Sequence, residues 1–203
     1  MHIAEGVLSP AVLGAGAVLA VAGTAIGLRR LDYDRLMTVG LLAAAFFVAS
    51  LIHVPVGLTS SHLILSGLLG VLLGWAVFPA ILVALLLQAV LFQFGGLTVL
   101  GVNTCTMSLG GVLAWYCFRG IRKLWSGKTG LRVGAFCSGA LGVCFSALLT
   151  ALALACTDEG FQAAAALLLL GHLPIMLAEG LITMFTISFI LRVRPEMLIN
   201  RTV

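Results

Sequence analysis

The chain begins Met1-His2-Ile3-Ala4-Glu5-Gly6, which sets a histidine directly behind a potential free amino terminus. Three nitrogens of that dipeptide can close on one metal ion: the Met1 α-amine, the His2 peptide nitrogen and the His2 ring Nδ1. They form two chelate rings that share an edge. A planar nitrogen set of this kind suits Ni(II) and Cu(II), whereas zinc prefers a tetrahedron. A fourth nitrogen from elsewhere in the fold would complete a square. An initiator methionine followed by histidine also arises by chance, so the dipeptide needs support from the rest of the chain.

Three further histidines are available, at 53, 62 and 172. His62 ends the run Gly57-Leu58-Thr59-Ser60-Ser61-His62, where a helix first turn would point it inward with Ser60 and Ser61 as hydrogen-bonding neighbours. His53 lies at the end of the preceding apolar stretch and is the alternative ligand. His172 sits deeper in a long apolar segment and reads as a packed or interhelical polar residue. Glu179, on the same segment, is a lone carboxylate that could pair with His172 seven residues away, hydrogen-bond inside the bundle or act as a proton site. Gln88, Gln93, Asn103 and Thr104 read as neutral groups bonding between helices. No GxxxxGK[ST] loop, HExxH, Ser/His/Asp set or Asp pair is present, so the sequence recommends neither an ATPase nor an intramembrane hydrolase.

The elements that must position these residues are membrane helices. Hydrophobic residues make up 62% of the chain and charged residues 9%, against roughly 25% charged in ordinary soluble domains. Mean hydropathy is +1.21. Roughly 20 apolar residues cross the hydrocarbon as a helix, and 203 residues accommodate several such crossings. The expected fold is an all-α polytopic bundle of seven transmembrane helices, at about Pro10–Leu28, Leu36–Ile52, Ser60–Trp75, Pro79–Phe92, Asn103–Phe118, Leu131–Ala155 and Phe161–Leu191. Pro174 should kink or divide the last. Residues 1–203 then form a single integral-membrane domain, with 1–9 as a metal-binding segment and 10–203 as the bundle.

All eleven basic residues fall in three groups: Arg29, Arg30 and Arg35; 119–132; and Arg192, Arg194 and Arg201. The positive-inside rule puts all three in the cytoplasm, so the net charge of +4 reports topology and not a nucleic-acid partner. Seven crossings with the amino terminus outside and the carboxyl terminus cytoplasmic satisfy them all. Trp75, Trp115, Tyr116 and Trp125 fall near the cytoplasmic ends, as aromatic belts do. Met1 and His2 then lie outside, beside the loops at 53–60, 93–103 and 156–161. The first segment lacks a basic start and is expected to be retained. The five cysteines form no CxxC or compact metal spacing and read as small apolar fillers.

The stretch Gly95-Gly96-Leu97-Thr98-Val99-Leu100-Gly101-Val102-Asn103 interrupts the apolar pattern with three glycines. Irregular backbone at membrane depth is tolerated only inside protein or along a cavity, and a tucked-in amino terminus is an object such a loop could cover. Small residues at helical spacing in the first segment, among them Gly16, Ala20, Gly23 and Gly27, permit close helix packing, internally or against a partner.

Met1-His2-Ile3-x-Glu5-Gly6-x-Leu8-x-Pro10, then Ser61-His62, then Gly95-Gly96-Leu97-Thr98-x-Leu100-Gly101-x-Asn103 with Met107, together resemble the CbiM/NikM family. Its members are substrate-specific membrane components of energy-coupling-factor transporters for cobalt and nickel. The resemblance implies Ni(II) or Co(II) as transported substrate, held in a plane by the Met1 amine, the His2 amide nitrogen and the rings of His2 and His62. It further implies that Asn103 supports the buried amino-terminal segment and that His53 is the second choice of ligand behind His62. Phe94 departs from the family pattern, where some members have a polar residue. The implied partners are a transmembrane coupling protein, ATPase subunits and, in some members, a small membrane protein, with the small face of the first helix as a docking surface. A different small-molecule cargo, or a membrane metalloenzyme using His53, His62, His172 and Glu179, are the competing expectations.

Overall fold

The computed structural model describes residues 2–51, 53–56 and 59–195, with backbone only at 53–56 and 59–61. Seven α-helices occur among the described residues: α1 (Pro10–Arg29), α2 (Leu36–Leu51), α3 (Ser66–Leu73), α4 (Val77–Phe92), α5 (Leu100–Leu124), α6 (Gly127–Ala155) and α7 (Gln162–Val193). Between α2 and α3 two short strands, β1 (His53–Val56) and β2 (Thr59–His62), pair antiparallel with His53 opposite His62. The expected all-helical bundle is therefore present, with one small hairpin added.

Local chemistry sets the boundaries. Pro10 occupies the first turn of α1, where its missing N–H costs nothing, and Arg29 closes the last turn, where a cation favours the helix dipole. Pro174 lies inside α7 but does not divide it; the helix runs unbroken for 32 residues. The third segment differs most from expectation. Residues 59–62 are a strand, so the helix expected from Ser60 starts at Ser66 and lasts eight residues. At about 1.5 Å per residue α3 rises roughly 12 Å, well short of a hydrocarbon core about 30 Å thick. Among the described residues, five helical stretches are long and apolar enough to cross a membrane: 10–29, 33–51, 66–92, 127–155 and 159–193. Polar residues buried along α5, among them Asn103, Thr104 and Ser108, lower its apolar character although its 25 residues match the length.

Every residue of α3 is buried, and its glycines explain how. A Cβ added at Gly70 would lie 2.0 Å from the Gly111 carbonyl oxygen of α5, and one at Gly67 would lie 2.5 Å from the Ser138 oxygen of α6. Backbones this close need small residues on both sides. The stripe Gly16, Ala20, Gly23 and Gly27 of α1 is likewise buried, against Val102 of α5, Phe78 and the Trp75 carbonyl. Internal packing, the first of the two expectations for these small residues, occupies those four positions, while Ala11 and Ala15 of the same helix are exposed.

Two groups of contacts define the ends of the bundle. At one, the Arg30 guanidinium lies 5.3 Å from the Trp75 ring, Arg119 lies 4.9 Å from that of Trp115, and Trp75 Nε1 donates to the Tyr116 hydroxyl at 3.3 Å. At the other, residues 2–9 run across the ends of α4, α5 and α6, where Ser9 N–H donates to Thr157 Oγ1 at 3.4 Å.

Candidate metal centre

The amino-terminal segment is held by backbone-directed polar contacts. Asn103, buried in the first turn of α5, accepts from Ile3 N–H through Oδ1 and donates to the Ile3 carbonyl through Nδ2, both at 3.1 Å. One amide side chain thus satisfies both main-chain groups of a residue that is 5% exposed. The Glu5 carboxylate accepts from Thr98 N–H at 2.9 Å, and that bond holds its pKa below the usual range. Gly95 and Gly96 stand at φ +82° and +122°, backbone that favours glycine. A Cβ at Gly96 would fall 2.0 Å from Glu5 Cγ. The glycine-rich loop therefore covers the segment, as its composition suggested.

This places the His2 ring among Gln88, His62 and Phe94. His2 Nε2 meets Gln88 Oε1 at 3.0 Å, and the Phe94 ring stands edge-on at 80° with its centroid 4.9 Å from that of His2. Gln88 is fully buried, and its orientation is fixed from behind because Nε2 donates to the Phe47 carbonyl at 3.2 Å and to Ser50 Oγ. Its oxygen must then face His2, so His2 Nε2 carries the proton and His2 Nδ1 carries a lone pair. His62, 3% exposed, is fixed in the same way: Nδ1–H donates to the Leu63 carbonyl at 2.9 Å, leaving the lone pair on Nε2. Burial pushes the His62 pKa well below the ordinary histidine value, which favours this neutral ring.

His2 Nδ1 and His62 Nε2 are 2.9 Å apart, with ring centroids at 4.7 Å. The contacts with Gln88 and Leu63 thus turn an acceptor nitrogen of each ring toward the other. Such a pair needs a cation between its members, either a proton or a metal ion.

The structure thus brings together His2, His62 and Asn103 of the expected set. Met1 lies outside the described residues. Ser60 and Ser61 belong to β2, paired with Pro55 and Val54, and His53 stands opposite His62 in β1. Only their backbones are described. His172 is fully buried, donates from Nδ1 to the Leu168 carbonyl at 2.7 Å and has no partner at Nε2 among the described residues. Glu179 does not pair with His172; it accepts from the backbone of Ile64 and Leu65. Among the described residues no group of three or more His, Cys, Asp or Glu could hold a metal, and the five cysteines are free. Gln88 bonds between helices as expected, to Phe47 and Ser50 of α2, but its contact with His2 is one that the sequence did not reveal.

Residues 2–197 match the family described as CbiM, cobalt uptake substrate-specific transmembrane region. A Haemophilus influenzae protein named "Putative metal transport protein" is 47% identical over 204 residues, covering 100% of this chain and 98% of its own length. The fused nickel transport protein NikMN of Rhodobacter capsulatus is 40% identical over 117 residues, 55% of this chain and 34% of its own. A crystal structure described as a transition metal transporter superposes with a TM-score of 0.83 at 25% identity, covering 95% of this chain and 93% of that one. With its facing histidine pair at the end of an apolar helical bundle, the chain belongs to the CbiM family and is a multi-pass membrane transport component, not an enzyme.

Proposed function

We propose that the chain is the substrate-binding component of an ATP-driven energy-coupling-factor transporter in the cell membrane, capturing Ni(II) or Co(II) from outside. The observation that carries this reading is the facing pair of lone pairs on His2 Nδ1 and His62 Nε2, 2.9 Å apart. With metal–nitrogen bonds of about 2.0 Å, adjacent donors of a square plane lie roughly 2.8 Å apart and opposite donors roughly 4 Å. The two rings therefore suit adjacent corners. The Met1 amine and the His2 amide nitrogen take the remaining two, since the amide nitrogen is tied by a six-membered chelate ring to Nδ1 and by a five-membered one to the amine. Nitrogen donors in a plane favour Ni(II) and late divalent metals, while calcium and magnesium prefer oxygen ligands. Relatives whose names specify cobalt uptake and nickel transport agree with that cargo class.

Residues 1–9 act as the metal-binding segment of a single membrane domain formed with residues 10–203. Ser60 and Ser61 flank the His62 ligand, and Asn103 docks the segment. The amino terminus faces outward and the carboxyl terminus the cytoplasm, an orientation supported by the basic groups near Arg30 and Arg119 at the end opposite the histidine pair. The chain holds no phosphate-binding glycine loop, so ATP hydrolysis belongs to ATPase subunits acting through a transmembrane coupling protein, with a small membrane partner in some assemblies. Release follows when those partners reorient or open the bundle.

Titration of the purified chain with Ni(II) and Co(II) tests the reading. One residue added before Met1, or His62→Ala, should abolish tight binding, whereas His53→Ala should leave it unchanged. Full affinity with the added residue would remove the amine from the ligand set. Greater damage from His53→Ala than from His62→Ala would reassign the fourth nitrogen.

A further inference from the structure

Glu179 is a fully buried carboxylate on α7 with no part in the centre described above. Its Oε1 accepts from Leu65 N–H at 2.6 Å and from Ile64 N–H. The Ile64 nitrogen belongs to the same peptide group as the Leu63 carbonyl, and that carbonyl accepts from His62 Nδ1–H at 2.9 Å. A continuous line therefore runs from the His62 ring into one face of a planar amide and out of the other to a carboxylate.

We propose that Glu179 is a positioning residue for the metal centre, acting through the Leu63–Ile64 peptide to fix the His62 ring and to strengthen Nε2 as a donor. The inference rests on the metal-capture reading. An amide that donates at nitrogen becomes a better acceptor at oxygen, because successive hydrogen bonds polarise one another in a low-dielectric interior. A carboxylate is the strongest acceptor available at the far end. It draws the peptide dipole toward itself, so the Leu63 oxygen holds Nδ1–H more firmly and electron density shifts to Nε2. Ligating histidines commonly use a carboxylate or carbonyl on their second nitrogen for this purpose; here both act in series. The second bond, to Leu65, pins a residue whose φ of +51° is unfavourable for a side chain of its size, and so fixes the backbone that leads from His62 into α3.

Ni(II) affinity of the full chain, measured for the wild type, Glu179→Gln, His62→Ala and the double variant, tests this. Glutamine keeps an oxygen acceptor of equal reach and removes the charge. Affinity should fall about 10–100-fold in Glu179→Gln and change by less than about twofold when His62 is already alanine, because residues acting as one unit are not additive. Unchanged affinity in Glu179→Gln, or the same loss in both backgrounds, overturns the proposal. A second measurement needs no substitution: 15N spectra of the histidines in the metal-free wild type should show His62 protonated at Nδ1 and bare at Nε2, and the opposite tautomer overturns it even if Glu179→Gln fails to fold. If the wild type binds neither Ni(II) nor Co(II), the metal-capture reading falls and takes this inference with it. Tight wild-type binding that is indifferent to Glu179 removes only the inference.

Discussion

Replacing Asn103 by leucine should release the amino-terminal segment while leaving both histidines in the chain. Leucine shares the branched skeleton of asparagine and is somewhat bulkier, so the buried space beside Ile3 stays filled while two hydrogen bonds of 3.1 Å are lost. Each contributes about 1 kcal/mol net, or roughly 2 kcal/mol for docking of the segment. At about 1.4 kcal/mol per factor of ten, Ni(II) affinity should fall about 30-fold. Leaving the Ile3 N–H and carbonyl buried without partners would cost more, about 1–3 kcal/mol each, but the segment escapes that penalty by undocking. Undocking itself is the predicted defect. Calorimetric titration gives the affinity, and amide hydrogen exchange over residues 2–8 of the metal-free protein should speed up in the variant. Asn103→Asp should bind more weakly still, since it sets a carboxylate oxygen against the Ile3 carbonyl. Wild-type affinity and wild-type exchange in Asn103→Leu would refute the idea that this side chain holds the segment.

Gln88→Leu removes the acceptor that fixes the His2 tautomer and should weaken Ni(II) binding about 10–100-fold, while Gln88→Glu, which still accepts from Nε2–H, should bind far better than leucine. Lowering the pH should weaken both metal binding and docking of the segment. Burial depresses the His62 pKa from 6.5, so its stabilising contribution is complete above about 6.5 and is lost as pH falls through the depressed value. Titrations between pH 8 and about 5 check the sign, and affinity that rises on acidification would contradict it. Gly96→Ala introduces a Cβ 2.0 Å from Glu5 Cγ at a φ of +122° and should weaken binding, whereas Gly14→Ala, which meets nothing within 4 Å, should be neutral. Gly70→Ala sets a Cβ 2.0 Å from the Gly111 oxygen and should lower the thermal midpoint of the solubilised protein.

The parts of the centre legible in the sequence were those with local chemical signatures. A histidine at position 2, a histidine behind two serines and a triple-glycine stretch ending in Asn103 announce themselves by residue type. Gln88 did not, because an amide in an apolar helix has many possible partners and only the tertiary fold turns its oxygen toward His2. The strand at 59–62 was read as helix because hydropathy dominates when a chain is apolar throughout. Val54, Val56 and Thr59 are nonetheless β-branched residues in a sequence interrupted by Gly57, and the strand pair they form tolerates Pro55 because two strands leave edges unpaired. The α1 stripe was visible as a close-packing face, but its partner was not: glycine spacing says that a backbone comes near, not whose it is. Glu179 stood out as an isolated acid, and its bonds to Ile64 and Leu65 cross 115 and 114 residues of sequence, a separation no local pattern encodes.

That separation bears on the order in which the protein is made. Residues 10–29 and 33–51 can enter the bilayer as they leave the ribosome, since each closes its own hydrogen bonds. The start of α3 cannot do the same. Until the last helix is synthesised, the Ile64 and Leu65 amides lack the carboxylate that satisfies them, and bare N–H groups are costly in lipid. The backbone that leads from the hairpin into α3 therefore gains its last hydrogen bonds only when α7 packs against it. A chain terminated before residue 179 would carry both histidines of the centre and still lack the carboxyl group behind one of them, so the final seating of His62 depends on the last helix.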